Sequence, residues 1–276
     1  MITIVGGGRM GRGLAGALSG AGERVTLWSR REAAGGVEDA VSGAVTIILA
    51  VPDDAIGRLA ADLAKAGAVS GDQVVLHLSG LHGKEQLASL EGSGAALGSL
   101  HPLQTVSDPE TAPERWRGAY AAIEGDDRAC REGERLAQLL ELVPFRLGPG
   151  QKAAYHAGAV MVGNYSVALA GAAARLAREA GVPVELAAKM YLPLLAGALE
   201  NLGRQPTAAA LTGPVRRGDL NTIREHLEAL TADDRMLYAV LGLEAVKLAR
   251  EAGLDAGRAD EVERTLRTAI DNERIG

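Results

Sequence analysis

Two short stretches of this 276-residue chain carry residue types whose spacing could do chemistry. The first is Gly6-Gly7-Gly8-Arg9-Met10-Gly11, a Gly-x-Gly-x-x-Gly run placed directly after the β-branched segment Ile2 to Val5. In that setting Gly6 allows a tight turn, Gly8 lets a pyrophosphate approach the backbone, and Gly11 lets a helix pack close to a sheet. Arg9 and Met10 fall in the first turn of that helix, whose unpaired N–H groups make an anion site. The second stretch is Lys152-Ala153-Ala154-Tyr155-His156. Lys152 and His156 lie four apart and share a helix face. A partly buried lysine has a pKa drawn toward neutrality, and it can protonate an oxygen whose carbon is receiving a hydride. The chain has only five lysines against twenty-four arginines, which makes a lysine at this Gly-rich junction distinctive.

The second strand, Glu23 to Trp28, runs into Ser29-Arg30-Arg31. Sites for NAD place an acidic residue there to bind the ribose 2′-hydroxyl. Here no carboxylate is expected to repel a 2′-phosphate, and two guanidiniums could bind one, so NADP(H) is the expected cofactor. Ligands of open α/β sheets lie beyond the carboxyl ends of the strands. That puts Val51-Pro52, Ser79-Gly80 and His101-Pro102 on one rim with the cofactor. His101 either orients a substrate or caps its loop. In Leu211 to Asp219, Arg216 or Arg217 could hold a substrate carboxylate beside Thr212, and Asp219 reads as a helix N-cap above Thr222 and His226. The five histidines, at 77, 82, 101, 156 and 226, have no ligand spacing with carboxylates or with Cys130, so no metal is expected.

These residues need elements to position them. Apolar runs predict strands at 2–5, 23–28, 45–51, 73–78, 96–100, 119–123 and 143–147, alternating with helices. One helix begins after Pro52, with Asp53 or Asp54 as its cap. Residues 105–117 read as a polar loop. Beyond Gly148-Pro149-Gly150 the pattern is helical, over about 152–181, 183–202, 219–231, 235–253 and 260–272, with an irregular linker at 203–214. The expected fold is an N-terminal Rossmann domain over 1–147, a doubly wound and mostly parallel α/β sheet, and an all-helical domain over 148–276.

Composition bounds the function. The net charge of −6 argues against a nucleic-acid surface. A single cysteine excludes an intrachain disulfide framework, and a chain that enters a strand at once leaves no room for a signal peptide. The longest apolar stretch, 157–176, is rich in Ala and Gly and contains Asn164 and Ser166, which suits a buried helix better than a membrane span. A cytoplasmic protein without membrane partners is the expectation. Gly158 and Gly163 permit close helix contact, either within the chain or in a homodimer.

The Rossmann half resembles the 6-phosphogluconate dehydrogenase-like superfamily at Ile47 to Asp53. The whole chain is similar to the family with a Rossmann-like domain followed by a DUF2520 domain. That similarity rests on Ser79-Gly80, His101-Pro102-Leu103-Gln104, Lys152 with Tyr155-His156, Asn164-Tyr165, Asn201-Leu202, Leu211-Thr212-Gly213-Pro214 and Arg217-Gly218-Asp219. The resemblance implies an NADP-dependent oxidoreductase, and the family's usual setting beside pantothenate-synthesis enzymes implies reduction of 2-dehydropantoate (ketopantoate), a small carboxylate. Lys152 matches the catalytic lysine of ketopantoate reductases, whereas His156 stands where those enzymes have Asn. On this resemblance Lys152 protonates the developing alkoxide, and His156 and Asn164 position it. Pyrroline-5-carboxylate-type imine reductases share the two-domain plan, and a non-catalytic NADP(H) sensor is the rival from another class.

Overall fold

The computed structural model describes residues 1–275, and its compact units are Met1–Ser166 and Val167–Gly276. In the first unit, strands β1 (Ile2–Val5), β3 (Thr46–Leu49) and β4 (Val74–His77) are buried throughout. Continuous β-branched and apolar runs behave this way when helices cover both faces of a parallel sheet. With β2 (Val25–Trp28), β5 (Ala96–Pro102), β6 (Tyr120–Gly125) and β7 (Val143–Arg146), they form one seven-stranded sheet in the order β2-β1-β3-β4-β5-β6-β7. Every neighbouring pair is parallel except β5 with β6.

Side-chain alternation divides the core between the two faces. Ile4, Ile48 and Leu76 pack with Leu14 and Leu18 of α1 (Arg9–Gly20) and Leu136 of α5 (Asp127–Leu139). Val5, Ile47, Leu49 and Val75 pack with Val41 of α2 (Val37–Ser42) and Ile56 and Leu63 of α3 (Asp53–Lys65). The expected loop at 105–117 contains a short helix, α4 (Ala112–Trp116), because Trp116 and Ala112 turn inward onto the first of these cores. The cap expected of Asp53 or Asp54 is not made: Pro52 is the N-cap of α3, and Asp53 instead accepts the Ser79 hydroxyl at 2.9 Å.

Helix α6 (Lys152–Glu179) starts in the first unit and ends in the second. The expectation of a buried helix fails here. Its apolar window has a mean hydropathy of 1.3, long and apolar enough to cross a membrane, yet only 6% of that window is buried. Met161, Val162, Tyr165, Val167 and Leu169 are all exposed.

The second unit continues with α7 (Val184–Ala187), α8 (Leu192–Arg204), α9 (Thr207–Ala210), α10 (Gly213–Arg217), α11 (Leu220–Ala229), α12 (Ala232–Glu251) and α13 (Ala256–Ile275). The single helix expected over 183–202 breaks before α8, since Pro193, in the first turn of α8, has no N–H with which to continue a helical ladder from the residues before it. The expected linker at 203–214 is partly helical, in α9 and α10. Val215, Ile223, Leu227, Ala239, Val246, Val262 and Leu266 form this unit's own core.

Candidate active site

The glycine turn is built by close backbone approach. Gly6 has φ +130°, and a Cβ there would stand 2.1 Å from the carbonyl oxygen of Ala50; one on Gly11 would meet the Gly6 oxygen at 2.0 Å. Any side chain at either position would push β1, β3 and α1 apart. Gly8, the N-cap of α1, faces open space and makes no side-chain cap, and the first turn of the helix holds no acidic residue. The N–H groups at this end are therefore free to receive an anion.

The turn opens into a cavity of about 750 Å³, walled by Gly6, Gly7, Gly8, Ser29, Arg30, Arg31, Val51 and Pro52, together with Arg12, Glu32 and Arg58. Glycine turn, basic segment and β3 end thus meet around one space. Arg9 points elsewhere, donating to Ser107 O at 3.4 Å, while Met10 packs against the core. One expectation needs correction. A carboxylate does stand beside the Arg30-Arg31 segment, because the turn after β2 folds Glu32 back to accept the Ser29 hydroxyl at 3.1 Å and Arg12 at 2.5 Å.

Ser79 and His101 do not line that cavity. Ser79 is buried: its hydroxyl donates to Asp53 and accepts the N–H groups of Leu81 and His82 at 3.1 and 3.0 Å. The carbonyl of Ser79 is one partner of Lys152. The Lys152 ammonium, on a residue only 3% exposed, donates to Ser79 O at 2.5 Å and to Ser99 Oγ at 2.7 Å. Burial lowers the Lys152 pKa from 10.5 to about 8, against partial compensation from Glu124, Glu85 and Asp53.

The β4–β5 register sets His77 opposite Ser99, and His77 is fully buried. Its ring accepts the Ser79 N–H at Nδ1, so Nε2 carries the proton and donates to Gly83 O at 2.9 Å. Burial, with the Lys152 charge adding to it, drives the His77 pKa down to about 4. A neutral imidazole thus braces the Ser79 loop against which Lys152 lies.

His101 sits two residues beyond Ser99 on β5, on the same face of the strand. Its Nδ1 and the Tyr155 hydroxyl share a hydrogen bond of 2.9 Å, and the His156 ring meets His101 edge-on at 5.7 Å between centroids. Burial first, then Lys152 and His156, lowers the His101 pKa to about 4; burial raises that of Tyr155 to about 12. Both are therefore neutral near pH 7. They border a second cavity of about 660 Å³ in the first unit, lined also by Gln104, His156 and Asn164. Ser99, Tyr155 and His77 carry no role in the sequence reading. The signal available for Ser99 is strand alternation, which puts it beside His101, and for Tyr155 its place in the turn between Lys152 and His156.

Thr212, Arg216 and Arg217 belong to the second unit. Thr212 lines an apolar groove there with Leu176, His226 and Tyr238. Arg216 donates to Ala252 O at 2.9 Å at the end of α12, and Arg217 lies 3.8 Å from the Asp219 carboxylate. Asp219 caps α11 as expected, accepting from Thr222 N.

The model of the domain of unknown function DUF2520 matches residues 119–267, and that of a Rossmann-like domain matches 1–102. No functionally curated protein matches the chain. Among solved structures, BF3122 of Bacteroides fragilis, assigned as an NADP oxidoreductase, is similar at 23% identity and a TM-score of 0.67, over 88% of this chain and 96% of its own. Protein TM1727 of Thermotoga maritima is similar at 24% identity and a TM-score of 0.63, over 99% of this chain and all of its own (100%). An imine reductase from Myxococcus stipitatus in complex with NADP+ is similar at 19% identity and a TM-score of 0.58, over 99% and 94%. These likenesses share the fold.

Proposed function

The chain belongs to the DUF2520 family, here with a Rossmann-like domain ahead of it, and from that premise we propose that it is an NADP(H)-dependent reductase of a small molecule. The observation that carries the reading is the uncapped start of α1 opening, through the glycine turn, into a cavity that also holds Ser29, Arg30 and Arg31. Helix N–H groups and guanidiniums are the donors that a pyrophosphate and a ribose 2′-phosphate require. The NADP+ complex of the imine reductase with this fold supports the same cofactor. Residues 1–147 would form the cofactor domain and 148–276 a domain for substrate and self-association.

When bound, the nicotinamide supplies the hydride. The chain must hold and release a proton, and Lys152 is the group proposed to do so. Held by Ser79 O and Ser99 Oγ, with a pKa near 8, it is protonated at neutral pH and gives up its proton more readily than an exposed lysine. His156 and Asn164, on the wall of the second cavity, would position the substrate, with His101 and Tyr155 beside them.

The proposed substrate is a small 2-oxo acid, with 2-dehydropantoate (ketopantoate) as first candidate. A second reading, imine reduction, is favoured by the wall of the second cavity, which carries histidine, tyrosine and amide side chains and no arginine or lysine. A substrate arriving as a protonated imine also asks less of a proton donor. NADPH oxidation measured against a panel of 2-oxo acids and cyclic imines tests both. Turnover of ketopantoate supports the first reading and turnover of imines alone the second. NADPH binding without turnover of either class makes the protein a sensor.

We also propose that the chain pairs with a second copy of itself. Exposed apolar side chains on α6, and separately Leu194, Leu199 and Leu202 on α8, are of the kind that obligate interfaces bury.

A further inference from the structure

Glu32 places an anion beside Ser29, Arg30 and Arg31 on the wall of the cavity proposed to take the cofactor. Strand β2 ends at Trp28, and the next residue, Ser29, holds the position at which NAD-binding folds place their ribose-binding acid. The Ser29 side chain is not free. It donates to one carboxylate oxygen of Glu32 at 3.1 Å, while Arg12 Nη2 donates to the other at 2.5 Å. Arg12 Nε in turn donates to Gly7 O at 2.9 Å, so one carboxylate ties the turn after β2 to the glycine turn. These hydrogen bonds hold the Glu32 carboxyl below its usual pKa, so it is ionised at neutral pH. Glu32, Arg12, Ser29, Arg30 and Arg31 all face the same cavity.

We infer that Glu32 occupies the place of the nucleotide's 2′-phosphate in the free protein, engaging the Ser29 hydroxyl and the Arg12 guanidinium until a phosphate displaces it, and that it thereby sets the discrimination between NADPH and NADH. This rests on the NADP(H) reading above and deepens it. A carboxylate and a phosphate both seek hydroxyl and guanidinium donors, and two anions cannot share them without repulsion. The backbone of the turn holds itself, through Glu32 N and Ala33 N donating to Ser29 O at 3.0 and 2.9 Å. The Glu32 side chain is 58% exposed and its partner Arg12 44%. It can therefore swing into solvent without unpacking anything, and an ion pair this exposed is weak enough to exchange. Arg30 and Arg31, exposed on the same wall, add charge that draws in the phosphate.

The alternative role for a carboxylate at this place is to accept the unphosphorylated ribose hydroxyls, which makes the opposite prediction. The test is the dissociation constant of NADPH and of NADH, by nucleotide-fluorescence titration at one fixed salt concentration, for the full-length parent and Glu32→Gln. Glutamine keeps the size and an acceptor for Ser29 but removes the charge. The expected result is NADPH binding about tenfold tighter, with NADH changed less than about twofold. The same gain should appear for adenosine 2′,5′-bisphosphate against AMP, which carry no nicotinamide. A parent that binds NADPH, with an unchanged NADPH-to-NADH ratio in Glu32→Gln, overturns this inference alone and leaves Glu32 a brace of the turn. Weakened NADH with no gain in NADPH overturns it in favour of the ribose-hydroxyl role. Binding of neither nucleotide by the parent overturns the cofactor reading and this inference together.

Discussion

Replacing Lys152 by Met removes an ammonium that lies inside the first unit, bonded to Ser79 O and Ser99 Oγ, while keeping the length and apolar body of the side chain. Burial lowers the Lys152 pKa from 10.5 to about 8. Between those two values the unfolded chain binds more protons than the folded one, so the parent gains stability as pH rises through that window. Holding the ammonium in place costs the folded state about 3 kcal/mol at pH 7, falling to less than about 1 kcal/mol at pH 10. The difference in unfolding free energy between parent and Lys152→Met should therefore swing by about 2–3 kcal/mol in the parent's favour from pH 7 to pH 10. Taking the difference cancels the other titrating groups and the fixed loss of two hydrogen bonds. Urea unfolding of both proteins at the two pH values reads it directly. A difference independent of pH would mean that the ammonium is not desolvated, and the argument from burial would fall. Kinetics give a second reading of the same group. As a proton donor, Lys152 should hold kcat/KM for carbonyl reduction flat below about pH 8, with a tenfold fall per pH unit above it. Lys152→Met should lose about 10²–10⁴-fold in rate while still binding NADPH. A variant with near-parental turnover moves the proton donor to the His101–Tyr155 pair.

The two arginines of α10 should separate by readout. Arg216→Ala is expected to lose about 1–2 kcal/mol of stability, because its guanidinium serves the Ala252 carbonyl at the end of α12. Arg217→Ala, 64% exposed in its side chain, should unfold like the parent; raised KM for 2-oxo acids in this variant alone would identify Arg217 as the carboxylate ligand, and parental kinetics in both would assign the segment to folding. For self-association, sedimentation velocity of the parent should show a dimer at micromolar concentration, and Val162→Lys combined with Leu194→Lys should shift it to monomer. A parent that sediments as a monomer refutes the second-copy reading of α6 and α8, and one recovered only with vesicles redirects it to a lipid surface.

The parts of the fold legible in the sequence are those where consecutive residues carry the signal. The strands of the parallel sheet read as apolar runs because both of their faces are covered. Asp219 reads as a cap because Thr222 is three residues away. The glycine turn is similarly local, with its work done by the backbone of residues 6–11. Asp53 shows the limit. As a sequence feature it sits at the start of α3 like any cap, yet Ser79, 26 residues on, supplies a hydroxyl that competes for it. Glu32 shows the same limit over a shorter distance, since only the turn geometry after β2 brings its carboxylate back to Ser29. The exposure of α6 is hidden for another reason. A run of Ala, Gly and Val has the same composition whether it is covered by its own chain or by a second one, and periodicity cannot tell them apart.

That contrast separates the two halves of the proposed chemistry. Cofactor binding in this fold is largely a backbone property: one helix end, one turn and the ends of the two strands that flank β1 bring Gly6, Gly8, Ser29 and Pro52 around a single cavity. Proton transfer depends instead on side chains from separate segments. Lys152 comes from the start of α6, Ser99 and His101 from β5, and the Ser79 loop from the end of β4, braced by His77. The two partners of the ammonium lie 73 and 53 residues from Lys152 in sequence. Composition near Lys152 can nominate it as a candidate proton donor, but its pKa depends on the burial that these segments create together. Ser99→Ala would therefore be read best by its effect on the pH profile rather than on rate alone. Removing one partner leaves the lysine in place, so a change in where the profile bends would report the environment that the strand register builds around it.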